Sequence, residues 1–201
     1  NKFPHHTNEI AQSESFLGHK WCNYWFHVEH LNTANGKMSK SSGKFLTVSS
    51  LIEDGYKPEE YRLYCLQSHY RKVLTFTFES LSQTKSAYDS LLKKIKVLKH
   101  DDKLLETEKI NKFDEEFKSN LANDLNTASC ITTLYDVLKS DMNDNSKLSL
   151  MRKFDYVLGL SLNEFIKNNK HEEQSVDDDL RKYIEEKIEQ RKQAKLNKDY
   201  A

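Results

Sequence analysis

Cysteine is scarce in this 201-residue sequence: Cys22, Cys65 and Cys130 are odd in number and far apart. That favours reduced thiols in a cytoplasmic setting over a disulfide frame. Charge of either sign in excess is also missing, since 31 Lys and Arg residues balance 31 Asp and Glu residues. A general attractive field for nucleic acid is therefore excluded, and any such contact must come from local patches. No apolar run approaches the length needed to cross a bilayer, and the opening Asn1-Lys2-Phe3-Pro4-His5-His6 lacks signal-peptide character, so no membrane role is expected. Internal repeats are absent as well. What remains is a chain that is 31% charged, long enough for one domain or two small ones with a real core.

The most informative stretch is Gly36-Lys37-Met38-Ser39-Lys40-Ser41-Ser42-Gly43. Two ammonium groups three residues apart, with hydroxyls between and after them and glycine at both ends, can follow a triphosphate and then release it. A P-loop places its lysine after a longer glycine-rich run, beside one magnesium-binding hydroxyl, and that pattern is absent. On composition alone such a segment is more often a wet surface loop than a catalytic one. A second candidate pairs His5 with Glu9, four apart and able to share one side of an early helix. An imidazole and a carboxylate so placed suit zinc, but two ligands do not make a site.

The rest of the chain reads as elements around these two features. Pro4 leads into a helix over roughly Asn8 to Lys20. The aromatic run Trp21 to Leu31 suggests a strand through Trp25, His27 and Leu31. Asn35-Gly36 is a turn pair feeding the lysine loop, and a helix is expected from Ser50. Pro58 with Glu59 and Glu60 opens another, with an apolar stripe through Tyr61, Tyr64 and Cys65. Helical spacing of Leu81, Tyr88, Leu91, Leu92, Ile95 and Leu98 predicts a helix from about Glu79 to Lys99, with Lys93, Lys94, Lys96 and Lys99 on its outer face. Phe113, Phe117 and Leu121 stripe a helix over Asn111 to Ser119. Ala122 to Thr127 interrupts it, and a helix restarts from the Asn/Thr cap. Ser140 to Lys147 reads as a polar linker, and Leu148 to Leu158 as a helix capped by Gly159. Leu162, Phe165 and Ile166 add a short apolar turn. Asn168 to Asp179 reads as a mobile loop, and Leu180, Ile184 and Ile188 as a narrow helical stripe.

Several of these stretches resemble the cysteinyl-tRNA synthetases, a class I aminoacyl-tRNA synthetase family. Lys37-Met38-Ser39-Lys40-Ser41 matches the class I signature loop letter for letter. Phe3-Pro4-His5-His6-Thr7-Asn8-Glu9-Ile10-Ala11-Gln12 is similar to the family's zinc-binding helix start, with Thr7 in place of a glutamate that is not a metal ligand. Trp25 and His27 match its Trp-x-His segment, Ser68-His69-Tyr70-Arg71 its Ser-x-His-Tyr-Arg run without the intervening residue, and Asp124-Leu125-Asn126-Thr127 a motif of its helical domain. Lys44 stands where the family usually has asparagine. The resemblance is close through Lys72, recognisable through Thr127 and weak in the last third.

The resemblance implies an α/β catalytic fold of the class I synthetase type, with only its second half present, followed by an all-α helical bundle. Residues 1–75 then correspond to the catalytic part with its connecting helices, and 76–201 to an anticodon-stem-type bundle truncated at its end. It implies ATP-dependent activation of L-cysteine as cysteinyl-adenylate and transfer to tRNA(Cys) by a monomeric cytoplasmic enzyme, with ATP used together with Mg2+. Lys37 and Lys40 become the catalytic lysines. Lys37, Met38, Ser39, Lys40, Ser41 and His27 become the ATP-facing set, and Trp25 lines the substrate cleft. His5 and Glu9 become half of a Zn2+ shell whose two cysteine ligands lie before Asn1. His69 and Arg71 face tRNA or form a hinge. Two alternatives stay open: an ATP-dependent cysteine ligase for a small amino sugar, and a noncatalytic RNA-binding fragment. The helical bundle favours the tRNA enzyme over the first, and the neutral charge argues against the second.

Overall fold

The computed structural model describes residues 2–33, 36–37, 47–99, 103–169, 183–188 and 190–191. A single π-helical turn, Lys2–His6, runs directly into α1, Thr7–Leu17. Gly18 ends α1 in the left-handed region at φ 71°, returning its N–H to the Glu14 carbonyl. The helix thus begins close to the expected start and stops three residues before Lys20.

A three-stranded sheet follows, in the order β2-β1-β3. Strand β1, Leu31–Thr33, pairs antiparallel with β2, Gly36–Lys37, and parallel with β3, Leu74–Phe76. A parallel neighbour needs a crossover, and α2 (Val48–Glu53) and α3 (Pro58–Leu66) supply it. The sequence puts the strand earlier, through Trp25 and His27. Residues 24–30 instead run without regular strand assignment, and β1 takes only Leu31 from that expectation. The blurred alternation at Phe26 and Val28 has its cause here: neither is buried, at 60% and 65% exposure, so nothing imposes a period of two.

Local chemistry starts most of the later helices. The Thr47 hydroxyl accepts from the Ser50 N–H and the Ser50 hydroxyl from the Thr47 N–H, a reciprocal box on α2. Pro58 opens α3 while the Glu60 carboxylate turns back to the Lys57 N–H at 3.0 Å. Thr77 caps α4 (Phe78–Lys96), Asn126 caps α6 (Thr127–Lys139) and Asn143 caps α7 (Asp144–Leu158), each by accepting a backbone N–H three residues on. Helix α5, Thr107–Ala122, begins four residues before the expected Asn111. The polar stretch expected as a linker over Ser140 to Lys147 is shorter: α7 starts at Asp144, because Asn143 is a cap and Ser146 is fully buried in its first turn.

The core has two parts. The larger gathers Leu63, Tyr88, Leu91, Ile95, Phe117, Leu134, Met151, Phe154, Leu158 and Leu162, with Phe117 and Phe154 stacked at 4.0 Å between ring centres. The smaller holds Leu51, Tyr64, Phe76 and Leu81 against the sheet. Adjacent residues of α3 serve different parts, Leu63 the bundle and Tyr64 the sheet, so this helix joins them. A corner after α7 strengthens the join. Gly159 takes φ 61°, Arg62 Nε donates to the Leu158 carbonyl, the Tyr88 hydroxyl to the Leu160 carbonyl at 2.8 Å, and the Ser161 hydroxyl to Glu59 at 2.8 Å. A Cβ on Gly159 would lie 2.9 Å from Arg62 Nε. Beyond it, helical residues 162–169 bury Leu162 and Ile166 as the sequence predicts, and residues 183–188 are helical with Ile184 and Ile188 half exposed. The stretch from 170 to 182, with Leu180 and most of the expected loop, lies outside the described residues. No helix among the described residues is long and apolar enough to cross a membrane.

Candidate functional site

Of the residues expected to do chemistry, those in the described part of the chain include one in the sheet itself. Gly36 and Lys37 form β2, which holds the start of the lysine loop beside β1 through the register pair Asn32 and Lys37. Met38, Ser39, Lys40 and Ser41 lie outside the described residues.

Next to this strand, residues 24–30 form an exposed wall. Backbone bonds hold its far end: the Glu29 N–H donates to the Tyr70 carbonyl at 2.8 Å, and the Leu74 N–H to the His30 carbonyl at 3.4 Å. Trp25 and His27 alternate along the extended backbone and so present their rings to one side. Both rings stack on His6, at 3.9 Å and 4.6 Å between centres, and Trp21 meets Trp25 edge-on at 5.7 Å. The two cleft residues named from the sequence are therefore brought together, and His6 is the residue that joins them. Sequence reasoning had passed His6 over in favour of its neighbour; an aromatic neighbour for it lies some twenty residues away, and no local spacing signals that contact.

His5 and Glu9 sit on consecutive turns at the start of α1, both exposed. An imidazole nitrogen and a carboxylate oxygen are donor types that zinc accepts. Among the described residues no group of three or more His, Cys, Asp and Glu side chains could hold a metal ion.

Behind the wall, the connection from α3 to β3 is tied to the junction between α5 and α6. That junction turns through two consecutive left-handed residues, Asp124 at φ 53° and Leu125 at φ 54°, a conformation an aspartate tolerates better than most side chains. The Asp124 carboxylate accepts from the Tyr70 hydroxyl at 2.5 Å and pairs with Arg71 Nε at 2.7 Å. Its backbone carbonyl lies 2.9 Å from His69 Nε2. Because the Arg71 N–H donates to His69 Nδ1 at 3.2 Å, Nε2 carries the proton and is the donor to that carbonyl. The Tyr70 hydrogen bond, with the Arg71 guanidinium beside it, holds the Asp124 carboxyl below the usual carboxylate range, and Asp124 in turn raises Arg71. Thr127 adds a hydroxyl bond to the Leu66 carbonyl at 2.7 Å. His69 and Arg71, named from the sequence as tRNA-facing or hinge residues, are thus held against the helical bundle. Asp124 was visible in the sequence as part of a junction, but its partners are 53 to 55 positions away and carry no local mark.

Wall, connection and junction enclose a largely apolar cleft of about 400 Å³, lined by Phe26, Leu31, Tyr61, Cys65, Tyr70 and Leu125 among others. Burial pushes the Cys65 thiol up, and burial beside Cys65 pushes the Tyr61 hydroxyl up to about 12. Both stay neutral at physiological pH, which suits a packing role and gives no activated nucleophile.

Comparison with known proteins supplies the context for this geometry. A family model of the class I (C) tRNA synthetase catalytic domain matches residues 1–86. Among curated proteins, the cysteine–tRNA ligase of Borrelia hermsii is 35% identical over 98% of this chain and 43% of its own length. Those of Brachyspira hyodysenteriae and Bacillus velezensis are 35% and 34% identical over 100% and 99% of this chain, each across 44% of their own. The chain spans somewhat less than half the length of the curated relatives it matches.

Proposed function

We propose that the chain belongs to the cysteine–tRNA ligase family, to which its matches point, and that it forms the C-terminal part of an enzyme that activates L-cysteine with ATP and transfers it to tRNA(Cys). The supporting observation is that the likeness runs through 98% of the chain in the Borrelia hermsii relative. It therefore takes in the helical bundle as well as the catalytic segment, and a ligase for a small amino sugar has no need of a surface for an RNA stem. Residues 1–75 act as the second half of the catalytic domain with its connecting helices, and 76–201 as the bundle that supports the tRNA stem.

In the first step the cysteine carboxylate attacks the α-phosphate of ATP in line, a new C–O–P linkage forms, and pyrophosphate leaves. Lys37 and Lys40 offset charge growing on the phosphates, Ser39 and Ser41 donate hydrogen bonds or hold the loop, and Met38 completes the ATP-facing set, so catalysis is by position and electrostatics. His27 faces the nucleotide and Trp25 walls the cysteine cleft. In the second step a hydroxyl of the terminal adenosine attacks the cysteinyl carbonyl and AMP leaves. His5 and Glu9 would hold zinc together with two thiolates from outside this chain, which would supply a preference for the thiolate of cysteine over the hydroxyl of serine. His69 and Arg71 serve the hinge between catalytic part and bundle. The enzyme is a cytoplasmic monomer that uses ATP together with Mg2+.

The test is the intact mass and zinc content of the protein as isolated from its source, with cysteine-dependent ATP–pyrophosphate exchange and tRNA charging measured on the same sample. A mass well above 23.7 kDa, about one zinc per chain and charging of tRNA(Cys) is the expected result. Adenylate formation without charging supports the amino-sugar ligase, and salt-sensitive tRNA binding with neither reaction supports a noncatalytic fragment. The 201 residues alone are expected not to charge tRNA.

A further inference from the structure

Asp124 meets three consecutive residues of the connection at once: His69 through its carbonyl, and Tyr70 and Arg71 through its carboxylate. The same connection meets the exposed wall. The Tyr70 carbonyl accepts the Glu29 N–H at 2.8 Å, and the Tyr70 ring stacks on Phe26 at 4.4 Å. Phe26 lies between Trp25 and His27 in the chain, and those two carry the rings that stack on His6. An unbroken series of hydrogen bonds and ring contacts therefore runs from the α5–α6 junction to the cleft wall. Among the described residues the wall otherwise faces outward: Tyr24 is 90% exposed, and Trp25 through His30 are all exposed.

We propose that Asp124 is a positioning residue: by fixing Tyr70 it sets where the Trp25–His27 wall stands, and so ties the place of that wall to the helical bundle. Its bearing on catalysis rests on the activity proposed above, but the positioning itself does not. The bundle core does not depend on the clamp. Neither Asp124 nor any of His69, Tyr70 and Arg71 belongs to either buried cluster, and Asp124 and Arg71 are 46% and 66% exposed at the side chain. A residue that only stabilised the fold would loosen the molecule evenly. A positioning residue loosens the wall alone.

Both tryptophans of the chain, Trp21 and Trp25, belong to the ring cluster at the wall, so intrinsic fluorescence reports on it without a label. Asp124→Gly removes the side chain while keeping a residue that favours φ 53°. Asp124→Asn keeps an acceptor for Tyr70 and gives up the ion pair with Arg71. Tyr70→Phe removes the hydroxyl donor while leaving the stack on Phe26. Acrylamide quenching of tryptophan and amide hydrogen exchange are measured on the 201-residue chain. The expected result is faster quenching and exchange of the Glu29 amide faster by roughly ten-fold or more in Asp124→Gly and Tyr70→Phe, with α6 and α7 amides unchanged. Asp124→Asn falls between these variants and the parent. Unchanged quenching and Glu29 exchange in both Asp124→Gly and Tyr70→Phe overturns the proposal, as does equal acceleration throughout α5, α6 and α7. None of these readouts depends on catalysis, so failure of the proposed activity and failure of the clamp are told apart.

Discussion

Helices α1 and α7 make an instructive pair. Both end in a left-handed glycine, Gly18 and Gly159, and both are competent helices by sequence. Helix α7 buries seven residues, among them Leu150, Met151, Phe154 and Leu158 at 0% exposure, whereas α1 buries none and leaves Phe16 89% exposed. An 11-residue helix is marginal in water without a packed face. Helix α7 is held by its core, whereas the ring contacts described for α1 lie just before its start, where His6 stacks on Trp25 and His27. The candidate chemistry sits on the weakly packed side of this divide, and the strength of the fold on the other.

The largest loss is expected from removing a core ring. Phe154→Ala deletes a fully buried side chain stacked on Phe117, and about 3–5 kcal/mol of stability is expected to go, read from urea unfolding of the chain. A smaller loss comes from the corner after α7. The Asp155 carboxylate is buried and accepts the Leu160 N–H at 2.8 Å and the Asn163 N–H at 2.9 Å, so Asp155→Ala leaves two donors without their acceptor and costs about 1–3 kcal/mol in the same measurement.

Acid sharpens the comparison from another side. Burial alone would raise the Asp114 carboxyl, but hydrogen bonds from Lys118 and Lys153, at 2.6 Å and 2.8 Å, bring it below its ordinary value. A carboxylate depressed in the folded state adds stability that is present above its unfolded pKa, about 3.9, and is lost as pH falls through the lower folded value. Melting temperature against pH should therefore drop below about pH 4, with a shallower acid limb in Asp114→Asn. The smallest effect is expected at the exposed end of the comparison. Phe16→Ser removes a large apolar side chain from α1, yet unfolding of the bundle should change by no more than about 0.5 kcal/mol, because that ring buries nothing. A larger shift would show that α1 and the bundle unfold as one unit.

How much of this was legible depends on the reach of each signal. The bundle was legible because its stripes repeat within a few residues: Leu81, Tyr88, Leu91 and Ile95 are all buried where the helical period put them. Gly159 was legible as a stop because a left-handed cap favours glycine. The strand through Trp25 and His27 was misplaced, since exposed aromatics imitate a buried strand face in a one-dimensional reading. The start of α7 was missed because Asn143 and Asp144 look like linker until Asn143 is recognised as a cap. Of the candidate site, the lysine loop, the His5 and Glu9 pair and the Trp25 and His27 pair could be named from residue type and spacing. His6 and Asp124 could not be given their roles, because both act on partners distant in sequence.

The sequence by itself determined the helices, their caps and the residue types available for phosphate and metal, because these depend on neighbours within one or two turns. The tertiary structure alone decided that α3 would face two cores with adjacent side chains, and that one aspartate in a helix junction would hold three residues of a distant connection. Those outcomes come from packing and from pairings 53 to 55 residues apart. Such pairings cost loop-closure entropy and leave no periodic trace along the chain.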